Sequence, residues 1–574
     1  MNETTTDTEQ PAGTTAAAGP QGAPALLPPT APPVPAPEPP RLGKVLARAA
    51  AVTAALTVAG SALGLFRDQT VAHLFGAGTD SDAFLIAWTV PEMASTLLIE
   101  DAMALVLVPA FSHALARRSA GDSPDPVRSL VLATLPRLLA LLTCTTGVLM
   151  LGAPVVVEIL APGIADPRLA VGCTRLTAVT VLCFGLTGYF SAALRAHRSY
   201  LPPASIYLAY NLGIVTTMLV LHSLWGVRAA AAGVAIGSVL MVLVQLPFFI
   251  KHVGGVRSRG AAHLPAGDAP PGVRGKHRRT PLRSAPRPAL LGFGVLAPVV
   301  LFTVCRQSQV LIERFLAAPL PAGAISHLNY AQKVAQMPMV LSLMICTVTF
   351  PVVAQAMADG DESQARRRVE RDLALAGVVV LLGTALVVAY AQQIVEVLFQ
   401  RGAFSADDTA TTASVMRVYA LGLLGHCLVG SLGRPFFSAS RPTWYPAAAM
   451  AAGLLVTAAA GALAVGPWGV YGIAAANAVG ITFTAALLLR GLGTRVVSIG
   501  VRRVAVTLGR LVLAAAAACA AGRFAAPMVP GALLSLVLGC LLVPGVFALS
   551  ALALRAPEVA GLLDLFKQRF RHVS

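Results

Sequence analysis

The chain has 574 residues, 56% of them hydrophobic and 12% charged, with a mean hydropathy of +0.73, which excludes an ordinary soluble globular domain. Its 43 Lys and Arg against 26 Asp and Glu give a net charge of +17, but these cations flank apolar stretches and accompany no recognition domain, so nucleic acid is not an expected partner. The eight Cys lie in or at the ends of apolar stretches, with no CxxC pair and no His at ligand spacing, so neither a disulfide framework nor a metal site is expected.

Residues 1–44 open the chain with Pro, Ala, Thr and Gly, a composition that cannot bury enough apolar surface to order itself, and read as a disordered cytoplasmic tail. No short apolar core with a basic start marks a signal peptide. About 20 apolar residues cross a bilayer core of about 30 Å, and fourteen such stretches follow. Six lie near 45–67, 82–115, 129–160, 170–194, 202–222 and 228–250. A Pro- and Gly-rich basic linker, 251–288, comes next, with one acid, Asp268; topology-setting charge explains it, and a regulatory role is the other reading. Six more stretches lie near 289–316, 324–355, 373–398, 410–433, 443–463 and 468–489, and two near 504–522 and 530–554. Residues 556–574 form a basic tail. The expected fold is all-α and polytopic, with about 14 transmembrane helices.

Charge sets the orientation. With the amino terminus inside, cytoplasmic loops and tails hold 31 of the 43 Lys and Arg, while the opposite side holds Arg67, Arg168, Arg228, Arg401 and Arg523. That asymmetry is the positive-inside signal and places both termini in the cytoplasm of a plasma-membrane protein.

The two groups of six resemble each other. Arg67 and Pro91 recur as Arg314 and Pro338 at an offset of 247, as do Gly76-Ala77 in Gly323-Ala324 and Phe190-Ser191-Ala192 in Phe437-Ser438-Ala439. The repeat predicts two six-helix lobes, 45–250 and 289–490, related by a pseudo-two-fold axis along the membrane normal, as in alternating-access transporters. Residues 491–555 then add two extra helices.

Ionisable groups within apolar spans are costly, about 2.5–3.5 kcal/mol each at mid-membrane, and mark cavities. They cluster in spans 1, 2, 7 and 8. Arg67 and Asp68 end the first; Asp82, Glu92, Glu100 and Asp101 lie in the second. In the seventh, Arg306, Gln309 and Glu313 share a helical face, with Arg314 beside them; in the eighth, Asn329, Lys333 and Gln336 share one, with Gln332 adjacent. Opposed, these faces enclose a polar cavity between the lobes. The competing readings are an interfacial Arg67–Asp68 pair, a snorkelling Arg314, and a Glu313–Arg306 pair that only fixes packing. Arg137 and Arg175 sit near span ends, where snorkelling accounts for them.

No enzyme motif occurs: there is no GxxxxGK[ST], HExxH or GxSxG. Catalytic residues and bound cofactors are therefore not expected, and transport would draw on an ion gradient or the membrane potential.

Gly64-Leu65-Phe66-Arg67-Asp68, Phe75-Gly76-Ala77-Gly78, Asp82-Ala83-Phe84, Pro91 and Val108-Pro109 resemble the opening of the MviN/MurJ proteins, lipid II flippases of the MOP transporter superfamily. Ala161-Pro162-Gly163, Leu328 to Lys333, Phe350-Pro351, Leu398 to Phe404, and Gly433 to Phe437 with Arg441-Pro442-Thr443 continue the series over roughly 45–490. The resemblance implies a V-shaped pair of lobes around a cationic cavity, with spans 13 and 14 forming a groove for a polyprenyl tail. Its substrate would be lipid II, the lipid-linked peptidoglycan precursor, moved from inner to outer leaflet. Arg67, Lys333, Arg306 and Arg314 are the expected headgroup cations; Asp68, Asp82, Glu100 and Glu313 the gating or ion-coupling acids; Asn329, Gln332 and Gln309 the polar lining.

Membrane lipids and cell-wall synthesis proteins are further expected partners. The chain departs from the family pattern at Ala62, Ser95 and Thr96, where Arg is usual. Either Arg306 and Arg314 compensate, or the cargo differs. The alternatives are an exporter of another polyprenyl-linked saccharide or amphipathic small molecule by cation antiport, and a transport-inactive scaffold for cell-wall enzymes.

Overall fold

A computed structural model describes residues 42–120, 122, 124–253, 293–342, 362–438, 443–495 and 499–556. The expected amino-terminal tail up to 41, the linker from 254 and the basic tail from 557 lie outside the described residues, as does Phe350-Pro351. Residues 42–44 and 251–253, expected in the tail and linker, are helical. Contacts divide the chain into Met1–Arg48 and Ala49–Ser574. The smaller unit contributes the opening turns of α1 from Leu42; the architecture that follows is that of the larger.

The described residues contain helices and no strand. In the first half these are α1 (Leu42–Phe75), α2 (Thr79–Ala94), α3 (Ala102–Ser119), α4 (Pro126–Leu151), α5 (Ala153–Leu160), α6 (Pro167–Ala196), α7 (Leu201–Trp225) and α8 (Arg228–Val253). A π-helical turn, Ser95–Asp101, joins α2 to α3. The second half holds α9 (Phe293–Ala317), α10 (Ala324–Ala335), α11 (Glu362–Ala389), α12 (Ala391–Phe399), α13 (Ala406–Ala420), α14 (Leu423–Ser438) and α15 (Tyr445–Arg495), followed by α16 (Val501–Ala525) and α17 (Ala532–Ala553). Each of the fourteen predicted spans overlaps one or more of these helices. By length and apolar content, nine helices among the described residues qualify as spans, or ten if the bent pair α13 and α14 counts as one. The protein is a multi-pass membrane protein.

Local sequence sets the helix ends. Asp125 accepts from the N–H groups of Val127 and Arg128 with Pro126 at the first helical position, and Asp166 accepts from Leu169 with Pro167 in the same place. Both are N-caps followed by a ring whose missing N–H needs no partner there. Ser405 and Asp408 form a reciprocal capping box on α13. α15 is two helices: Gly469, at φ 53 and ψ −129, turns the chain back on itself.

In the first half α6 is central, touching α2, α3, α4, α5 and α8, while α7 packs on α8. In the second, α9 packs on α15, α10 on α13, and α14 on α11 and α15; α11 carries α16, and α12 touches α17. α4 and α17 turn long apolar faces outward, with Leu151 84% and Leu541 72% exposed, as lipid-facing helices do.

The halves meet where α2 touches α9 and α10 and where α5 touches α9. The 247-residue repeat reappears here as geometry. Gly76 (φ 63) and Gly323 (φ 94) both take the left-handed conformation after the first helix of their half. A Cβ on Gly76 would lie 2.6 Å from the Ala403 oxygen, and one on Gly323 2.6 Å from the Ala77 oxygen. The bridging loops are reciprocal. Ala403 N–H donates to the His73 oxygen at 2.8 Å, and Gly163 packs on Pro319.

Candidate functional site

At this end of the molecule α2 of the first half fastens α10 of the second. Asp82, 5% exposed, accepts from the N–H of Gly323 at 2.7 Å and of Ser326 at 2.8 Å, and from the Ser326 hydroxyl at 2.5 Å. Those are the free donors of the α10 amino terminus, so Asp82 is an N-cap supplied by another helix. The Ser81 hydroxyl lies 2.9 Å from that of Ser326. Gln69 Nε2 adds a bond to the Leu398 oxygen at 3.0 Å. Together these contacts seal one end between the halves.

Beneath the seal lie Arg67, Asp68 and Lys333. Arg67 is eight residues before the end of α1 and Lys333 nine after the start of α10, so at 1.5 Å per residue both sit about 12–14 Å in. Asp68 holds both cations: its Oδ1 accepts from Arg67 Nε at 2.9 Å and Nη2 at 2.7 Å, and its Oδ2 is 3.3 Å from Lys333 Nζ. Arg67 Nη1 donates to Asn211 Oδ1 at 2.9 Å, while Asn211 Nδ2 is anchored on the Gly60 and Tyr207 oxygens. The guanidinium also lies 4.5 Å from the Trp88 ring centroid, and Lys333 Nζ 5.8 Å from it. The Lys333 side chain keeps 28% exposure against 12% for Arg67, so of the two it is the more accessible. Two cations share one carboxylate across the boundary between the halves.

Arg314 is not the free cation expected. It is buried, donates to Glu92 Oε2 at 3.0 Å and bonds the Thr89 hydroxyl, and so ties α9 to α2. Glu313 faces neither Arg306 nor the cation cluster; it is buried against the Tyr419 hydroxyl and Asn477 amide within the second half, so the competing reading of a packing pair with Arg306 does not hold. His426 Nε2 lies 3.0 Å from Asn477 Oδ1 and extends that network. Arg306 is exposed, and its neighbour Gln307 donates to Thr96 at 3.2 Å, one of the positions at which the resemblance led to an expectation of Arg. Gln309 is buried with Nε2 unpaired among the described residues. Asn329 and Gln332 line a small cavity of about 10 Å³ with Glu313 and Arg314, at the lower limit for one water and far too small for a headgroup. Glu100 lies in the π-helical turn, and its side chain falls outside the described residues.

Sequence reasoning missed Trp88, Asn211, Ser326, Tyr419 and Asn477. Asn211 and Asn477 are amides in otherwise apolar spans, a signal that the sequence itself carries. The described residues contain no group of three or more His, Cys, Asp or Glu placed to hold a metal ion.

The family model of lipid II flippase MurJ matches residues 71–541. The chain belongs to the MurJ family. It is 26% identical over 440 residues to the lipid II flippase MurJ of Burkholderia cenocepacia, covering 75% of this chain and 81% of that protein. It is 26% identical over 487 residues to a probable lipid II flippase MurJ of Haemophilus influenzae, covering 80% and 88%. A solved lipid II flippase MurJ in an inward closed conformation matches with a TM-score of 0.65 at 18% identity, covering 89% of this chain and 99% of that one. An inward-facing MATE multidrug transporter of the MOP superfamily follows at a TM-score of 0.58 and 14% identity, covering 79% and 99%. The MurJ and MATE likenesses share the transporter fold of this chain.

Proposed function

We propose that this MurJ-family protein is a lipid II flippase that carries its cargo from the inner to the outer leaflet by alternating access, with Arg67 and Lys333 receiving the pyrophosphate. Within the family, the observation that carries the site is the shared carboxylate of Asp68. A pyrophosphate brings more negative charge than one carboxylate and bonds both cations at once, so it displaces Asp68 from Lys333. Arg67 and Asp68 come from α1 and Lys333 from α10, so the exchange breaks a bond between halves as it makes one to substrate.

Two six-helix lobes, 45–250 and 289–490, rock about this point, and both termini face the cytoplasm, which puts the Asp82 seal on the outer side. Outward-facing leucines on α17, Leu533, Leu534, Leu541 and Leu549, support a seat for the polyprenyl tail along α16 and α17. An ion gradient or the membrane potential drives the cycle, the latter supplying about 2.3 kcal/mol per charge per 100 mV. The Pro-rich tail and basic linker are the segments through which cell-wall synthesis proteins are engaged.

The test is growth rescue when the cell's resident lipid II flippase is depleted. The wild-type chain and Lys333→Arg rescue; Lys333→Ala and Arg67→Ala, at equal membrane abundance, do not. Rescue by both alanine variants refutes the site, and dye antiport in vesicles without any rescue by the wild type refutes the cargo.

A further inference from the structure

A second basic cluster lies apart from the paired cations, on the first half alone. Arg168 and Arg175 stand seven residues apart on one face of α6, about 10 Å along the axis. Between them on that face is Gly172, and over it lies the guanidinium of Arg228, the first residue of α8. Arg228 Nε is 3.6 Å, Nη2 3.9 Å and Cζ 4.0 Å from where a Cβ on residue 172 would stand. A Cβ there would only touch the guanidinium, so Arg228 lies directly over position 172, between the other two arginines. All three line a cavity of about 800 Å³ whose walls include Val157 and Ile164.

No carboxylate lies within ion-pair distance of Arg168, Arg175 or Arg228 among the described residues. Glu158 lines the same cavity without reaching them. Three like charges set along one cavity repel one another, and an anion between them offsets that repulsion.

The surroundings identify what kind of anion. Arg228 also borders a second cavity of about 510 Å³, lined by Leu224, Trp225 and Asp80. Trp225 and Leu224, at the end of α7, are 52% and 76% exposed. An exposed Trp at a helix end marks the headgroup level of a bilayer. Beside the cavity, α5 turns Val155 and Ile159 outward, 57% and 63% exposed, as a lipid-facing surface.

We infer that Arg168, Arg175 and Arg228 form a site for the phosphate of an anionic phospholipid, its acyl chains lying along α5. The site is separate from the flippase cations and stands whether or not that reading holds. The charge distribution that sets the topology puts it in the outer leaflet.

The test uses the full chain in nanodiscs of phosphatidylcholine containing phosphatidylglycerol, with retained lipid counted by native mass spectrometry. Wild type retains phosphatidylglycerol preferentially. The combined Arg168→Gln, Arg175→Gln, Arg228→Gln variant loses about tenfold of that preference, and Gly172→Leu, which keeps all three charges but unseats Arg228, loses part of it. The corresponding triple Lys variant keeps most of it, which separates loss of charge from misfolding. The proposal is overturned if the Gln variant retains phosphatidylglycerol as wild type does, or if both lipids are held equally by wild type. Displacement of phosphatidylglycerol by millimolar inorganic phosphate overturns it too, since the site would then take free phosphate.

Discussion

Replacing Asp82 by Ala removes the carboxylate that caps α10 from across the interface. Its two oxygens satisfy the N–H groups of Gly323 and Ser326 and the Ser326 hydroxyl. The hydroxyl can turn to Ser81, 2.9 Å away, so two buried backbone donors are left without a partner. At about 1–3 kcal/mol for each, the sealed arrangement loses about 3 kcal/mol relative to one in which water reaches the α10 amino terminus. That is about a 150-fold shift in the equilibrium between sealed and open ends. Spin labels report it: Gly78, where an added side chain meets nothing within 4 Å, and Ala322, which is exposed, lie on the α1–α2 and α9–α10 loops. After substitution of both by Cys in a background without native thiols, wild type gives one short distance. Asp82→Ala adds a longer one. A lowered melting temperature with an unchanged distance distribution would show that Asp82 only caps, and the gating argument would be wrong.

Asp68→Asn leaves Arg67 and Lys333 without the charge they share. The expected outcome is tighter binding of a pyrophosphate analogue with slower lipid II turnover in proteoliposomes, because substrate no longer competes with Asp68 and nothing replaces it on release; unchanged affinity by calorimetry counts against the exchange. Gly453→Leu forces apart the two arms of α15, since a Cβ at 453 would meet the Thr484 hydroxyl and lie 2.9 Å from the Gly480 oxygen. Overpacking there costs about 1–3 kcal/mol. Thermal unfolding in detergent should show the loss, and an unchanged transition would mean the arms are not closely packed.

Helix positions were legible because a bilayer demands long apolar runs and the charge flanking them is asymmetric. The seal was half legible. Asp82 was visible as a carboxylate in an apolar span, but its partners are backbone N–H groups 241 and 244 residues away, and backbone donors leave no side-chain pattern. The recurrence of Gly76 at Gly323 was visible, but the left-handed turn that both make was not. The pairing of Arg314 was hidden for a related reason. Its partner Glu92 is 222 residues distant, and a face drawn on one helix cannot show what the facing helix supplies. The partners of Glu313, Tyr419 and Asn477, are uncharged, so no charge pattern in the sequence points to them.

Three of the bonds that join the halves share a polarity. Asp68, Asp82 and Glu92 come from the first half, and Lys333, the α10 amino terminus and Arg314 from the second. On the proposed function, acids on one side and donors on the other would set an anionic headgroup in competition with the first half for the donors of the second. Its binding would then loosen the interface by as much as that competition removes, and an opened interface would bind the anion more tightly by the same factor. Glu92, out of place in a site proposed to attract pyrophosphate, fits this arrangement: it pairs with Arg314, and on that proposal it would cede the cation only when the halves part. A cavity made uniformly positive would bind the headgroup strongly in every state and shift no equilibrium.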